Sequence, residues 1–265
     1  MRKNQIFWGA VITLIGTGLL LNSLGIIHNF GKFIWPLLII FAGVWLLVGQ
    51  LLSKKVQSEV THIAIERRNA EKALVEINHG AGQLNIQPSS DDSLILSGDC
   101  QGGVRETVKY LGSQTDIKLS VPEDLVTSFP FMGGQGINWS LLLNRSIPLD
   151  LTLKTGANDS RVDLSKTQVK RLKLETGASN TILTLPASAG ETEVQVTGGT
   201  AAVKLYVPEG VEARIHTSTG LSGVNVNPGR FPKTADGQYE SPAFTSAANR
   251  VDIKIDMGLG SIEII

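Results

Sequence analysis

"LKLETGASNTILTLP", residues 172–186, is the stretch whose reading decides the fold. Two short runs of alternating apolar and polar residues flank Thr176, Gly177 and Ala178, and a proline closes the phrase. Alternation of period two is the mark of a strand with one buried face. A glycine between two such runs marks a change of backbone direction, because it tolerates φ > 0 or a close approach that a Cβ would resist. The phrase has relatives: "LTLKTGANDSRVDLS" from Leu151, "VQVTGGTAAVKLYVP" from Val194, "ARIHTSTGLSGVNVNP" from Ala213 and "IKIDMGLGSIEII" from Ile253. Their turn glycines are Gly156, Gly177, Gly198, Gly220 and Gly258, so the steps between them are 21, 21, 22 and 38. The last step is one period plus an insertion of about sixteen residues centred on "GRFPKTADGQYESP". An earlier copy, "VEINHGAGQLNIQP" from Val75, has Gly80 and Gly82 at its turn, and the long interval from Gly80 to Gly156 leaves room for about three further turns.

A fixed period of this size in alternating β sequence predicts a β-solenoid. Each coil of about 21 residues supplies a strand of about five residues, a corner, a second strand and another corner, and coils stack strand on strand at about 4.8 Å. Leu172, Leu174, Leu183 and Leu185 point inward above Leu151, Leu153, Val162 and Leu164, and Thr155, Thr176 and Thr197 form a hydroxyl ladder beside the corner. An antiparallel sandwich also yields short strands, but its turns have no reason to repeat one Thr-Gly pair at a fixed interval.

Charge divides the chain into two materials. All 24 acidic residues follow position 55, and the segment up to that position carries only Arg2, Lys3, Lys32, Lys54 and Lys55, so it is +5 and the rest of the chain is 19 − 24 = −5. The runs 6–27 and 33–52 are uncharged. Each, at roughly 20 residues, is long enough as a helix to cross a hydrocarbon core of about 30 Å. A hairpin of two transmembrane helices is therefore expected over 1–55, with Trp8, Trp35 and Trp45 toward the interfaces and Gly9, Thr13 and Thr17 on a close-packing face. Pro36 falls in the first turn of the second helix, where its missing N–H does little harm. A secretory signal is the alternative, but the first apolar run is too long, lacks an Ala-x-Ala site and is followed by a second span. Basic residues flank the outer ends of the pair, against Lys32 alone in the loop, which predicts both termini and the β domain in the cytoplasm. The β domain then covers 56–265, with a less regular part at 60–120 and regular coils at 147–265.

"FIWPLLIIFAGVWLL", residues 33–47, resembles the transmembrane region shared by LiaI-like and LiaF-like bacterial membrane proteins. "ALVEINHGAGQLNIQP", residues 73–88, resembles the start of the toast-rack domain. The run from "IPLDLTLKTGANDSRVDLS" through "LKLETGASNTILTLP" to "MGLGSIEI" is similar to the LiaF-type C-terminal β domain. The resemblance implies a membrane-anchored protein of the bacterial cell-envelope stress response, in which LiaF-type members restrain a membrane sensor histidine kinase. It implies no catalytic residues. Many such members have four spans where this sequence reads as two.

The residues give chemistry little support, and no catalytic, cofactor-binding or metal-binding residue is assigned. Cys100 is the only cysteine, which rules out an intrachain disulfide and a thiolate metal cluster and fits a packing residue. His28, His62, His79 and His216 are scattered without ligand spacing and read as surface or turn histidines. "FMGGQGINW", residues 131–139, contains Gly-x-Gly but neither a following helix nor a P-loop lysine, and reads as a flexible insertion whose Phe131 and Met132, with Phe129, offer an apolar contact patch. Asp91 and Asp92 read as a polar turn, and the Asn-x-Ser matches at Asn138, Asn144 and Asn158 as chance. An acidic β domain without a basic, aromatic-interleaved patch excludes nucleic acid. The expected partners are the bilayer and a membrane protein, with a self-associating scaffold as the alternative. The chain reaches Ile265 inside the strand "SIEII", which predicts an exposed edge there. The insertion before Val251 then either folds over that edge or presents Phe231, Tyr239 and Phe244 to a partner.

Overall fold

The computed structural model describes residues 60–122 and 137–265, together with nine positions between 12 and 43. The expected spans, His28 and the Phe129, Phe131 and Met132 patch thus fall wholly or in large part outside the described residues. Among the described residues no helix is long and apolar enough to cross a membrane. The chain divides into two compact units, and all the described strands belong to the second, Gln57–Ser128 with Gly134–Ile265.

These strands are β1 (Val60–Glu66), β2 (Lys72–Pro88), β3 (Leu94–Gln101), β4 (Arg105–Leu111), β5 (Gln114–Ser120), β6 (Ile137–Leu143) and β7 (Pro148–Asp163). They continue with β8 (Gln168–Thr184), β9 (Glu191–Tyr206), β10 (Glu212–Val226), β11 (Lys233–Ala235), β12 (Gln238–Glu240) and β13 (Arg250–Ile264). The repeated phrases are β7, β8, β9, β10 and β13, each one continuous strand of 15 to 17 residues. A straight strand of that length would reach about 50 Å. The four residues 164–167 that join β7 to its parallel neighbour β8 span less than about 20 Å. Each strand must therefore fold back near its middle.

Burial shows where it folds. In β7, Leu149, Leu151, Leu153 and Thr155 face inward; Gly156 and Ala157 sit at the change of phase, with Gly156 exposed. Within the second half of β7, Ser160 and Val162 face inward again. The alternation changes phase at the glycine, so both halves of the strand direct side chains into one interior. Leu172 and Leu174 lie over Leu151 and Leu153, and Leu183 over Val162. Val194, Val196, Val203 and Leu205 continue the ladders, all of them buried. Each fully buried leucine of such a ladder contributes about 1.5–3 kcal/mol. The solenoid expected from the period is thus present, as folded-back strands stacked in parallel.

The order of the rungs differs from the expectation in two places. The sheet runs β1-β3-β6-β2-β7-β8-β9-β13-β10-β12-β11. First, β2 pairs directly with β7 along its length, so the intervening sequence forms no extra turns between them. It closes the end of the stack instead. One half of β2 pairs with β5, which pairs with β4; the other half pairs with β6, which leads to β3 and β1. Residues 137–139, expected in a flexible insertion, begin β6, and Trp139 is core. Second, β13 lies between β9 and β10, paired with both, so "SIEII" is an interior rung and no edge. The five residues 207–211 make this possible, because they reach further than the two strand spacings, about 10 Å, that separate β9 from β10.

Candidate functional site

The bend is the most regular feature of the surface. A Cβ built on Gly156 would lie 2.4 Å from the carbonyl oxygen of Gly80, and one on Gly177 would lie 3.0 Å from that of Gly156. The same holds for Gly199 over Gly177 at 3.2 Å, Gly258 over Gly199 at 2.8 Å and Gly220 over Gly258 at 2.8 Å. Six glycines thus stack at the corner, and none has a left-handed φ. Glycine is required here by the closeness of neighbouring rungs, not by a positive φ. The corner glycine of β9 is Gly199 and not Gly198, because Thr176 is in register with Gly198. Thr197 accordingly faces out and leaves the hydroxyl ladder, and a Cβ on Gly198 would lie 2.5 Å from Met257 Sδ, so glycine there makes room for methionine.

Inside the bend lies a polar seam. Thr155 Oγ1 donates to Thr176 Oγ1 at 2.9 Å, and Thr176 Oγ1 donates to Ser179 Oγ at 2.6 Å. His79, expected at the surface, takes the place of this threonine in β2 and is 1% exposed. Its Nε2 donates to the Ile137 carbonyl at 3.1 Å, and its ring meets Trp139 edge-on at 5.2 Å. Burial pushes its pKa down to about 4, against the opposing pull of the Ile137 carbonyl, so the ring is neutral at pH 7. His79 Nδ1, Trp139 Nε1 and Asn158 Oδ1 are buried and find no hydrogen-bond partner among the described residues.

Outside the bend is an open trough of about 780 Å³ lined by Asn78, Lys154, Lys173, Glu175, Gln195 and the corner glycines, among others. Its carboxylates are already paired. Glu76 meets Lys118 at 3.3 Å and Lys154 at 3.4 Å, and Lys173 meets Glu175 at 2.6 Å. The Glu76 carboxyl sits below the usual range: burial raises it, but the Asn78 hydrogen bond and the two lysines outweigh that. The Glu175 carboxyl is held low by the hydrogen bond from Lys173. With Lys118, Lys154 and Lys173 against Glu76 and Glu175, both carboxylates are held by lysines and one positive charge is left in excess beside bare backbone.

The sheet edges are more distinctive. On the side of β10 away from β13, the one strand it meets among the described residues is β12, through Arg214, Ile215 and His216, and Thr217 N–H donates to the Gly237 carbonyl. The insertion therefore covers the first half of β10. Phe231 and Phe244 are buried beneath it, which removes them from the expected docking surface, while Arg214 lies over the Phe244 ring at 4.2 Å and on Glu240 at 2.8 Å. Among the described residues, no strand pairs with 218–226 on that side.

The other singled-out residues do not converge. Cys100 is fully buried, and burial, with Asp99 and Glu106 nearby, pushes its thiol up to about 12. His62 pairs with Asp99 at 2.8 Å on β1, and His216 lies on β10. Among the described residues no group of three or more His, Cys, Asp or Glu side chains is placed to hold a metal. Asp91 Oδ1 accepts from Ser93 N–H and Oγ, a polar turn as expected. Asn144 and Asn158 are buried, and Asn144 donates to the Leu94 carbonyl at 2.7 Å while accepting from Ser146 and Ile147. The buried His79 carried no sequence signal beyond its place one residue before Gly80.

The chain matches the family model for the N-terminal domain of toast_rack over residues 53–206, and that for the LiaI-LiaF-like transmembrane region over 6–47. No curated protein matches it. Among solved structures it is similar to a Clostridium sporogenes protein described as a cell-adhesion candidate, with TM-score 0.70, 22% identity, and coverage of 78% of this chain and 98% of that one. A Bacteroides fragilis protein described as an adhesin candidate matches at TM-score 0.30 and 10% identity, covering 79% of this chain and 98% of its own, too low a score for a shared fold.

Proposed function

Since the chain belongs to the toast-rack family, whose model matches more than half of it, we propose that it is a non-enzymatic, membrane-anchored regulator of the bacterial cell-envelope stress response. It acts by protein contact on a membrane sensor such as a histidine kinase. The observation that carries this reading is the union in one chain of a LiaI-LiaF-like transmembrane region and a toast-rack domain. The sole thiol is buried and raised in pKa, and the described histidines lie apart, which supports contact over chemistry. The basic residues flanking the apolar runs support two spans with the β domain on the cytoplasmic side.

The test is recovery of the full-length chain from gently solubilised membranes. A sensor kinase should accompany it at near one-to-one ratio, and that kinase, reconstituted in vesicles, should autophosphorylate several-fold more slowly when the chain is present. Recovery without a kinase, or unchanged autophosphorylation, refutes the reading. A reporter active only outside the membrane, fused after Ile265, should stay silent; strong activity would reverse the topology alone.

A further inference from the structure

The open half of β10 differs from the other edges of this sheet. The outermost strand of one flap, β4, carries Arg105, Glu106 and Lys109, and β1 carries His62 and Glu66. Charges on an edge discourage another strand from pairing with it. Residues 218–226, "STGLSGVNV", contain no charge and no proline. One side of this segment is paired with β13 through Val226. The other side carries a row of backbone groups that β12 does not reach. Leu221 on it is 82% exposed, and Leu259, its neighbour on β13, is 48% exposed, so an apolar pair stands beside the open backbone.

We propose that residues 218–226 of β10 pair antiparallel with the same strand of a second copy of this chain across a two-fold axis. A two-fold operator brings a surface onto itself, and strands so related run antiparallel. The sequence suits that occupant. It is neutral, so two copies do not repel, and it offers no ion pair to a charged segment of another protein. The pairing supplies partners for the unpaired amides and carbonyls and covers Leu221 in both copies. A single strand pair buries less than the roughly 1,200 Å² of a stable interface, so the association is weak in free solution. It becomes effective where a bilayer holds both copies at high local concentration. This deepens the regulator reading by giving the form in which the regulator meets its sensor, yet the two stand apart: kinase recovery can survive loss of the dimer, and the dimer loss of the kinase.

The experiment is disulfide trapping of the full-length chain in native membranes. Residue 222 is the centre of 218–226 and so faces itself across the two-fold axis, within the roughly 7 Å between Cα atoms that a disulfide spans. Ser222→Cys should give a dimer on mild oxidation at least ten-fold more abundant than Val108→Cys, which puts the same thiol at the centre of the charged β4 edge. Cys100, fully buried, does not compete. Adding Leu221→Lys to Ser222→Cys should suppress the dimer. A mixture of Leu221→Cys and Gly223→Cys copies, whose positions face each other in this pairing, gives the same readout should Ser222→Cys fail to fold; a Cβ at 223 meets nothing within 4 Å. Equal cross-linking at 222 and 108, absence of dimer in both edge tests, or a product with the mass of this chain joined to a different protein would each overturn the pairing.

Discussion

If the corner glycines are required by closeness and not by backbone dihedral, the cost of replacing each with alanine should follow the gap left by the neighbouring rung. At Gly156 a Cβ would sit 2.4 Å from the Gly80 carbonyl oxygen, so the two rungs must part by most of an ångström. Both are held by a ladder of parallel hydrogen bonds, and forcing atoms into such packing costs about 1–3 kcal/mol. At Gly199 the gap is 3.2 Å, which a few tenths of an ångström relieve. Alanine also restricts the unfolded chain, which stabilises by about 0.4–1 kcal/mol. The two effects nearly cancel at Gly199 and leave a clear loss at Gly156. In a domain of this size 1 kcal/mol moves Tm by about 2–4 °C. Thermal unfolding of the full-length chain in detergent, followed by far-ultraviolet circular dichroism, should show Gly156→Ala lowered by about 3–10 °C and Gly199→Ala within about 2 °C of the parent. Gly177→Ala, at 3.0 Å, should fall between them. Equal shifts at 156 and 199, or the reverse order, would refute the steric account.

His79 should make the domain acid-sensitive: with its folded pKa near 4 and an unfolded value near 6.5, the unfolded chain binds the extra proton between these values. Stability from this site is full above pH 6.5, declines as pH falls to 4 by about 3 kcal/mol in total, and is flat below; urea midpoints across that range should lose this slope in His79→Phe, and retention of the slope would deny the assignment. Leu174→Ala, which empties a ladder position between Leu153 and Val196, should cost about 2–5 kcal/mol in urea unfolding, while Leu221→Ala should stay within about 0.5 kcal/mol. Tyr239→Pro, opposite Ile215, breaks the β12 pairing and uncovers the first half of β10, so light scattering in detergent should show stronger concentration-dependent association than in the parent; a folded variant with unchanged mass would mean that the hairpin guards nothing.

The stacking was legible in the sequence because a buried ladder imposes the same residue type at the same phase in every rung. Leu172 over Leu151 follows from nothing more than that. The phase change at Gly-Ala was legible too, as the glycine that interrupts each alternation. What the period does not carry is order. Any two rungs of a solenoid present compatible faces, so the placing of β13 between β9 and β10 leaves no trace in the spacing. Gly198 and Gly199 show the same limit at finer grain. The motif aligns Thr197 with Thr176, but the fold shifts the register by one so that Met257 fits beside Gly198. His79 was unreadable for another reason: its burial depends on Trp139 and the Ile137 carbonyl, 58 or more residues away in sequence.

Interchangeable rungs also mean that nothing in the repeat itself stops the stack, so the ends must be written in sequence that does not repeat. At one end that sequence is β1 and β3 to β6, which splits the last rung into two antiparallel flaps and ends them on charged edges. At the other it is 227–249, whose hairpin is anchored by the buried Phe231 and by Arg230, bonded to the carbonyls of Val207, Pro208 and Val211. The first terminator covers both halves of its rung; the second covers one. A domain under pressure only to remain monomeric would gain by closing the other half with a lysine or a proline, each of which needs one substitution on an exposed position such as Asn225. Among the described strands, that half is thus an uncharged edge with its outer backbone groups open, which is what the proposed pairing of two copies requires.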